Sequence, residues 1–247
     1  MKKRKSHNSK QMKAASWVAA SVFIAGLAVL AGLYLEQNTR VTGVEFTGNY
    51  FTAEETLGET IQSPVGMLAD SVNYREIFRS LKSLPYVENV NLSMGIRGKL
   101  SFEIEERSPL ALLTEGSKRV YIAEGGIKLP VIPEKTEDVP ILYGFPAEPL
   151  TDTLKSKEYK QVEAFLTETR KNEFGWASIS EIAWSNREGV TALSHENGVK
   201  LVFGENNFSE KLQNWQAFYR EIITKDGIHS FQNVDFRFSN QIVTRKS

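Results

Sequence analysis

The 247-residue chain contains no cysteine. A disulfide framework, a thiol nucleophile and cysteine-ligated zinc are therefore excluded, and stability must come from packing. Histidine is nearly as scarce: His7, His195 and His229 stand far apart, and none belongs to an H-E-x-x-H pair. No G-x-S-x-G elbow, P-loop or dinucleotide fingerprint is present. Gly125-Gly126 has no helix after it on this reading and so forms no phosphate cradle. Glu103, Glu105 and Glu106 come nearest to a carboxylate pair, yet Glu103 and Glu105 alternate with Phe102 and Ile104 and read as the wet face of a strand. Trp215, Phe218 and Tyr219 fall at helical spacing and read as core rather than a ligand box. These absences point away from an enzyme, and they imply no metal, nucleotide, redox cofactor or small-molecule substrate.

Charge is unevenly placed. The chain has 30 basic and 30 acidic residues, but six of the basic ones crowd into residues 1–13, so the remainder sets 24 against 30, a net of −6. A mildly acidic remainder disfavours DNA, RNA or anionic lipid as its main partner. Residues 14–35, AASWVAASVFIAGLAVLAGLYL, carry no charge at all. At about 1.5 Å per residue such a helix reaches roughly the ~30 Å of a bilayer's hydrocarbon. Signal peptides have a shorter apolar core of about 7–15 residues and a small-x-small cleavage site, so the run reads as an uncleaved anchor. Trp17 and Tyr34 lie near its two ends, as interfacial rings do, with Phe23 and Leu30 along it. Lys2, Lys3, Arg4, Lys5, Lys10 and Lys13 precede the run and Glu36 follows it, which places the N-terminus in the cytoplasm and the rest outside.

Roughly 210 residues follow the anchor, enough for two modest domains. In the first, Val41 to Phe46 reads as a short strand that stops at Gly48-Asn49. Thr52-Ala53-Glu54-Glu55 fits a capping box for a helix running to about Ile61. Tyr74, Ile77, Phe78, Leu81 and Leu84 mark one face of a second helix, stopped by Pro85. Val87 to Met94 and Leu100 to Ile104 alternate as a hairpin across Gly98. The order is strand, helix, helix, strand, strand.

Beyond it, Leu110 to Leu113, Arg119 to Ile122 and Ile127 to Val131 read as short strands, followed by an extended proline-punctuated stretch. Lys157 to Asn172 reads as a surface helix ending near Gly175. Ile179 to Ser185, Val190 to Ser194 and Val199 to Phe203 form a meander with Asn197-Gly198 at one turn. Asn207-Phe208-Ser209-Glu210 caps a helix that carries Leu212, Trp215, Phe218, Tyr219, Ile222 and Ile223 and stops at Gly227. Val234 to Thr244 alternates through Phe238 and reads as one long terminal strand. The expected fold is α+β: a basic tail (1–13), an anchor (14–35), a β-α-α-β-β domain (40–107) and a mostly antiparallel β domain with two helices (108–247).

The segments VTGVEFTGNYFTAEETL, LKSLPYVENVNL and KLSFEIEERSPLALL resemble a POTRA domain. A POTRA domain directly after one N-terminal membrane helix is similar to the FtsQ/DivIB family of bacterial cell-division proteins, and NGVKLVFGENNFSEKLQNW followed by VDFRFSNQIVTRK resembles that family's C-terminal signature. The resemblance implies a non-enzymatic scaffold of the divisome in the inner membrane, helping to control septal peptidoglycan synthesis. It also implies that the terminal strand region docks FtsB and FtsL, partly by strand addition, through Phe236, Arg237, Phe238, Ser239, Asn240, Gln241, Ile242 and Val243. Other POTRA proteins continue into a membrane barrel, for which this chain has no room. The alternatives are a membrane-tethered envelope hydrolase using a carboxylate pair and a POTRA protein that receives extended polypeptides.

Overall fold

A computed structural model describes residues 17, 20–27, 39–95, 97–239 and 241–246. Among them, no helix is long and apolar enough to cross a membrane. Within the apolar run, Trp17 and residues 20–27 are helical, and Trp17, Val22, Phe23, Ile24 and Leu27 are all exposed. Leu30 and Tyr34 lie outside the described residues, as does the basic tail with His7. The chain divides into two compact units, with Leu84–Glu88 grouped with the second and the final crossing at Glu105/Glu106.

The first unit opens with β1 (Gly43–Thr47), followed by α1 (Glu54–Thr60), a short 3-10 turn, α2 (Tyr74–Leu81), β2 (Val87–Met94) and β3 (Lys99–Glu106). β3 lies between the other two strands and runs parallel to β1, Val44 facing Leu100 and Phe46 facing Phe102. The short connection from β2 to β3 permits only an antiparallel pair. β3 alternates as expected, with Leu100, Phe102 and Ile104 buried and Glu103 and Glu105 exposed. Phe46 stacks on Phe102 at 5.7 Å, and Phe78 of α2 meets the same ring edge-on. α1 begins at Glu54 behind Ala53, one position later than a helix capped at Thr52 would start, and the Thr52 carbonyl accepts from Asn49 Nδ2. A reciprocal pair occurs at α2, where Asn73 accepts from the Glu76 N–H and its amide donates to the Glu76 carboxylate.

The second unit adds β4 (Ala111–Glu115), β5 (Lys118–Ala123), β6 (Ile127–Pro130), β7 (Ile141–Tyr143), α3 (Lys157–Lys171), α4 (Glu173–Ser178), β8 (Ile179–Ser185), β9 (Gly189–Ser194), β10 (Lys200–Gly204), α5 (Phe208–Phe218), β11 (Phe231–Asp235) and β12 (Val243–Lys246). Its strands form one nine-stranded sheet in the order β12-β11-β10-β9-β8-β7-β4-β5-β6. Five of the eight pairings are antiparallel; β10 with β11, β4 with β7 and β7 with β8 are parallel. The extended proline-punctuated stretch thus contributes β7 to the interior of the sheet.

Three helices, not two, accompany this sheet. Asn172 accepts from the Gly175 N–H and starts α4, so Gly175 lies inside a second helix instead of ending the first, and it packs against Leu212. α3 buries Tyr159, Val162, Phe165 and Leu166, and α5 buries Leu212 and Trp215, all in one apolar cluster with the sheet. Each such side chain contributes about 1.5–3 kcal/mol by leaving water. Trp215 is fully buried, and its Nε1–H is satisfied by Ser178 Oγ at 2.9 Å. α5 widens into a π-helical turn and ends at Gly227, whose positive φ of 80° supplies the stop. Gly189 and Gly204 form a close backbone crossing: a Cβ on Gly189 would lie 2.5 Å from the Gly204 carbonyl carbon. Gly204 is the last residue of β10, and its missing side chain leaves room for Arg237 from the loop that follows β11.

Candidate functional site

The long terminal strand expected over Val234 to Thr244 is two strands. β11 ends at Asp235, and β12 returns antiparallel to β11 with Val234 facing Thr244 and Asp235 facing Val243. The break has a local cause. The buried Asp235 carboxylate accepts the Arg237 backbone N–H at 3.0 Å, an Asx turn that competes with the ladder. The same carboxylate takes the Arg237 guanidinium on two sides, Nε at 3.0 Å and Nη2 at 2.6 Å. This hydrogen-bonded pairing holds the Arg237 pKa above its ordinary value. One acid therefore anchors both the backbone and the side chain of the turn.

The residues that the sequence placed on one binding strand consequently go to different places. Phe236 is buried, stacked on Phe203 at 5.3 Å and edge-on to Trp215 at 6.1 Å, so it belongs to the core. Ile242 packs against the same core and is half-buried. Arg237, Phe238, Ser239 and Gln241 are exposed in the turn, Phe238 to 48 %, with the Arg237 guanidinium 5.8 Å from its ring centre. Asn240 lies outside the described residues. Val243 opens β12 and is exposed.

The turn and the start of α5 enclose a cleft of about 510 Å³ lined by Asn206, Asn207, Glu210, Lys211, Asn214, Arg237 and Phe238, among others. Asn207 holds the N-cap place expected for it, but in a left-handed conformation and without a side-chain cap. Lys211 is buried on one wall and donates to the Phe203 carbonyl at 2.7 Å. Burial lowers its pKa, which the charges of Glu210 and Asp235 partly restore. The sequence gives no sign of a buried lysine here. The one available clue is its place in the apolar stripe of α5, one position before Leu212.

β12 is the last strand of the sheet, and all four of its residues are exposed. β11 is flanked on both sides, by β10 and β12, and has no room for another strand. At the opposite edge, β6 is partly covered by its own chain: Pro130 accepts from the Tyr86 hydroxyl, and Lys128 Nζ reaches the Pro149 carbonyl. No histidine, aspartate or glutamate cluster fit for a metal occurs among the described residues. His195 and His229 are exposed and separate, and Glu105 accepts from Asn91 on an open strand face.

Fold and site together describe a mixed α+β module whose exposed end is a sheet edge beside an arginine–phenylalanine turn. Residues 108–245 match the model of the family described as "FtsQ/DivIB, C-terminal related". The chain belongs to the FtsQ/DivIB family. It is 26 % identical over 175 residues to a protein named cell division protein FtsQ from Geotalea daltonii, covering 70 % of this chain and 63 % of that protein, less than two thirds of its length. It is 26 % identical over 239 residues to the protein of the same name from Rhodothermus marinus, covering 93 % of this chain and 85 % of that one. Among solved structures, the major extracytoplasmic domain of DivIB from Geobacillus stearothermophilus aligns with 17 % identity and a TM-score of 0.33, over 49 % of this chain and 98 % of that one.

Proposed function

We propose that the chain is a bitopic component of the division machinery, anchored in the inner membrane by residues 14–35 with its N-terminus in the cytoplasm. On this reading residues 40–107 form a POTRA-like domain, and the distal unit gathers FtsB and FtsL without catalysis and so helps to control septal peptidoglycan synthesis. The anchor is supported by the exposure of every described apolar side chain from Trp17 to Leu27, which leaves lipid to cover them.

The observation that carries the binding reading is the open outer edge of β12. Its unpaired N–H and C=O groups are a template for a guest strand. Arg237 and Phe238, in the connection that leads from β11 to β12, are an exposed arginine and an exposed aromatic of the kind enriched in binding hot spots. The contact set therefore shifts from residues 236–243 toward Arg237, Phe238 and β12.

The test is affinity capture from solubilised membranes, with the full chain compared with a chain ending at Ile242. FtsB and FtsL co-purify with the first and are lost from the second. Equal recovery on both would overturn the assignment to β12.

A further inference from the structure

We infer that the first unit touches the bilayer through two loops that bracket its point of entry, with Val65 and Met67 seated among the lipid headgroups. This rests on the anchor reading above. Residues 39–42 are clasped from both sides. Val41 N–H donates to Met67 O at 2.9 Å, Gly66 N–H to Val41 O at 2.8 Å, Ala69 N–H to Thr39 O at 2.9 Å and the Arg40 guanidinium to Gly66 O at 2.8 Å. On the other side Thr42 donates its N–H to Gly98 O and its hydroxyl to Arg97 O. Gly98 allows this approach, since a Cβ there would stand 2.1 Å from Arg40 O.

The first loop and the end of β2 that leads into the second carry apolar side chains into the open. Val65 is 51 % exposed, Met67 44 % and Met94, the last residue of β2, 45 %, whereas Val41 is buried. Arg40 and Arg97 are exposed at the same end. Apolar groups rimmed by guanidinium groups suit the headgroup layer, where the cations meet lipid phosphate and the aliphatic groups meet the upper acyl chains.

Chain length limits where this end can be. From the last apolar residue of the anchor, Leu35, to Thr39 are four residue steps, which span at most about 14 Å when fully extended. Each headgroup layer is roughly 5–7 Å deep. Thr39 is thus held within roughly 10 Å of the membrane surface, and Thr42, three steps further on, within roughly 20 Å, whatever course the tether takes, and the loops are hydrogen-bonded to this segment. Tyr50, 56 % exposed, is the natural contrast, because it lies past the far end of β1, about 17 Å of strand away.

Since the chain has no cysteine, single cysteines at Val65, Met67 and Tyr50 can each be labelled uniquely with a polarity-sensitive fluorophore. The full chain is reconstituted in phosphatidylethanolamine–phosphatidylglycerol vesicles and read with a water-soluble and a lipid-borne quencher. The labels at 65 and 67 respond to the lipid quencher and lose about fivefold or more of their response to the aqueous one relative to the label at 50. Equal aqueous response at all three sites overturns the inference while leaving the anchor intact, provided alkaline carbonate fails to extract the protein. Extraction by carbonate overturns the anchor, and the inference with it. Labels at 65 and 67 shielded from both quenchers would mean that protein, such as a second copy, covers the loops, and would also overturn it.

Discussion

Strand addition at β12 makes a prediction that two neighbouring prolines can test. In an antiparallel pair, alternate residues turn their N–H and C=O inward to the partner strand and outward. Of Thr244 and Arg245, which face Val234 and Asn233 of β11, one therefore bonds to β11 and the other offers its groups to a guest. β12 is four residues long, so it presents two outward residues and about four main-chain hydrogen bonds to a guest. At about 0.5–1.5 kcal/mol net each, they contribute about 2–6 kcal/mol to binding. Proline at the outward position removes one donor and leaves a guest carbonyl unpaired, costing about 1–3 kcal/mol, or about 5- to 150-fold in Kd. Proline at the inward position strips a bond from the β11–β12 pair and lowers the melting temperature as well. The assay is calorimetric titration of Thr244→Pro and Arg245→Pro chains with the extracytoplasmic FtsB–FtsL complex, alongside thermal unfolding. Strand addition at β12 predicts one variant that loses affinity with its melting temperature intact. If both stay folded and neither Kd moves by more than about twofold, the reasoning fails.

The buried and exposed phenylalanines of the turn should separate. Phe236→Ala, which removes a ring stacked on Phe203, costs about 3–5 kcal/mol of stability, read by denaturant unfolding. Phe238→Ala leaves stability unchanged and weakens partner binding by on the order of 2 kcal/mol, read by titration. Among the described residues the buried Tyr159 hydroxyl has no hydrogen-bond partner, and burial raises its pKa, so Tyr159→Phe should raise stability by about 1 kcal/mol; a loss of stability would show that the hydroxyl is satisfied. The Lys211 pKa lies below its ordinary 10.5. Between its folded value and 10.5 the unfolded chain binds more protons, so stability rises with pH across that interval. Lys211→Met flattens this slope, as unfolding curves over the alkaline range would show.

The alternation that a sequence displays most openly was recovered most fully. Leu100, Phe102 and Ile104 point inward because period two on a half-buried strand has one solution. Val234-Asp235-Phe236-Arg237-Phe238 shows the same alternation and misleads, because the pattern cannot tell that Asp235 captures the Arg237 N–H and ends the ladder. The family resemblance, not the alternation, sets Phe236 among the contact residues. Its neighbours Phe203 and Trp215 come from other elements, and no local window contains them. Capping chemistry is only partly legible: α2 opens on Asn73 and Glu76, a reciprocal pair of the same spacing that the apolar face from Tyr74 to Leu84 does not announce. The parallel insertion of β7 between β4 and β8 is a long-range pairing of three residues, which periodicity does not register.

An open edge that binds a guest is equally open to a second copy of itself, and β12 carries features that separate the two. It is four residues long, and short edges are poor templates for propagation. Arg245 and Lys246 stand at its end, exposed, and full-length antiparallel self-pairing would set them opposite Thr244 and Val243 of the other copy, with Arg245 of one copy diagonally across the same face from Lys246 of the other, within reach of two long cationic side chains whose like charges disfavour the pair. A guest strand without basic residues at those positions escapes that penalty. Arg245→Glu with Lys246→Val should therefore relax the discrimination, and concentration-dependent self-association by analytical ultracentrifugation would rise in the variant over the parent chain. If the variant stays as monodisperse as the parent while still binding its partner, the charges at this edge have no part in excluding self-pairing, and the shortness of the strand alone must do so.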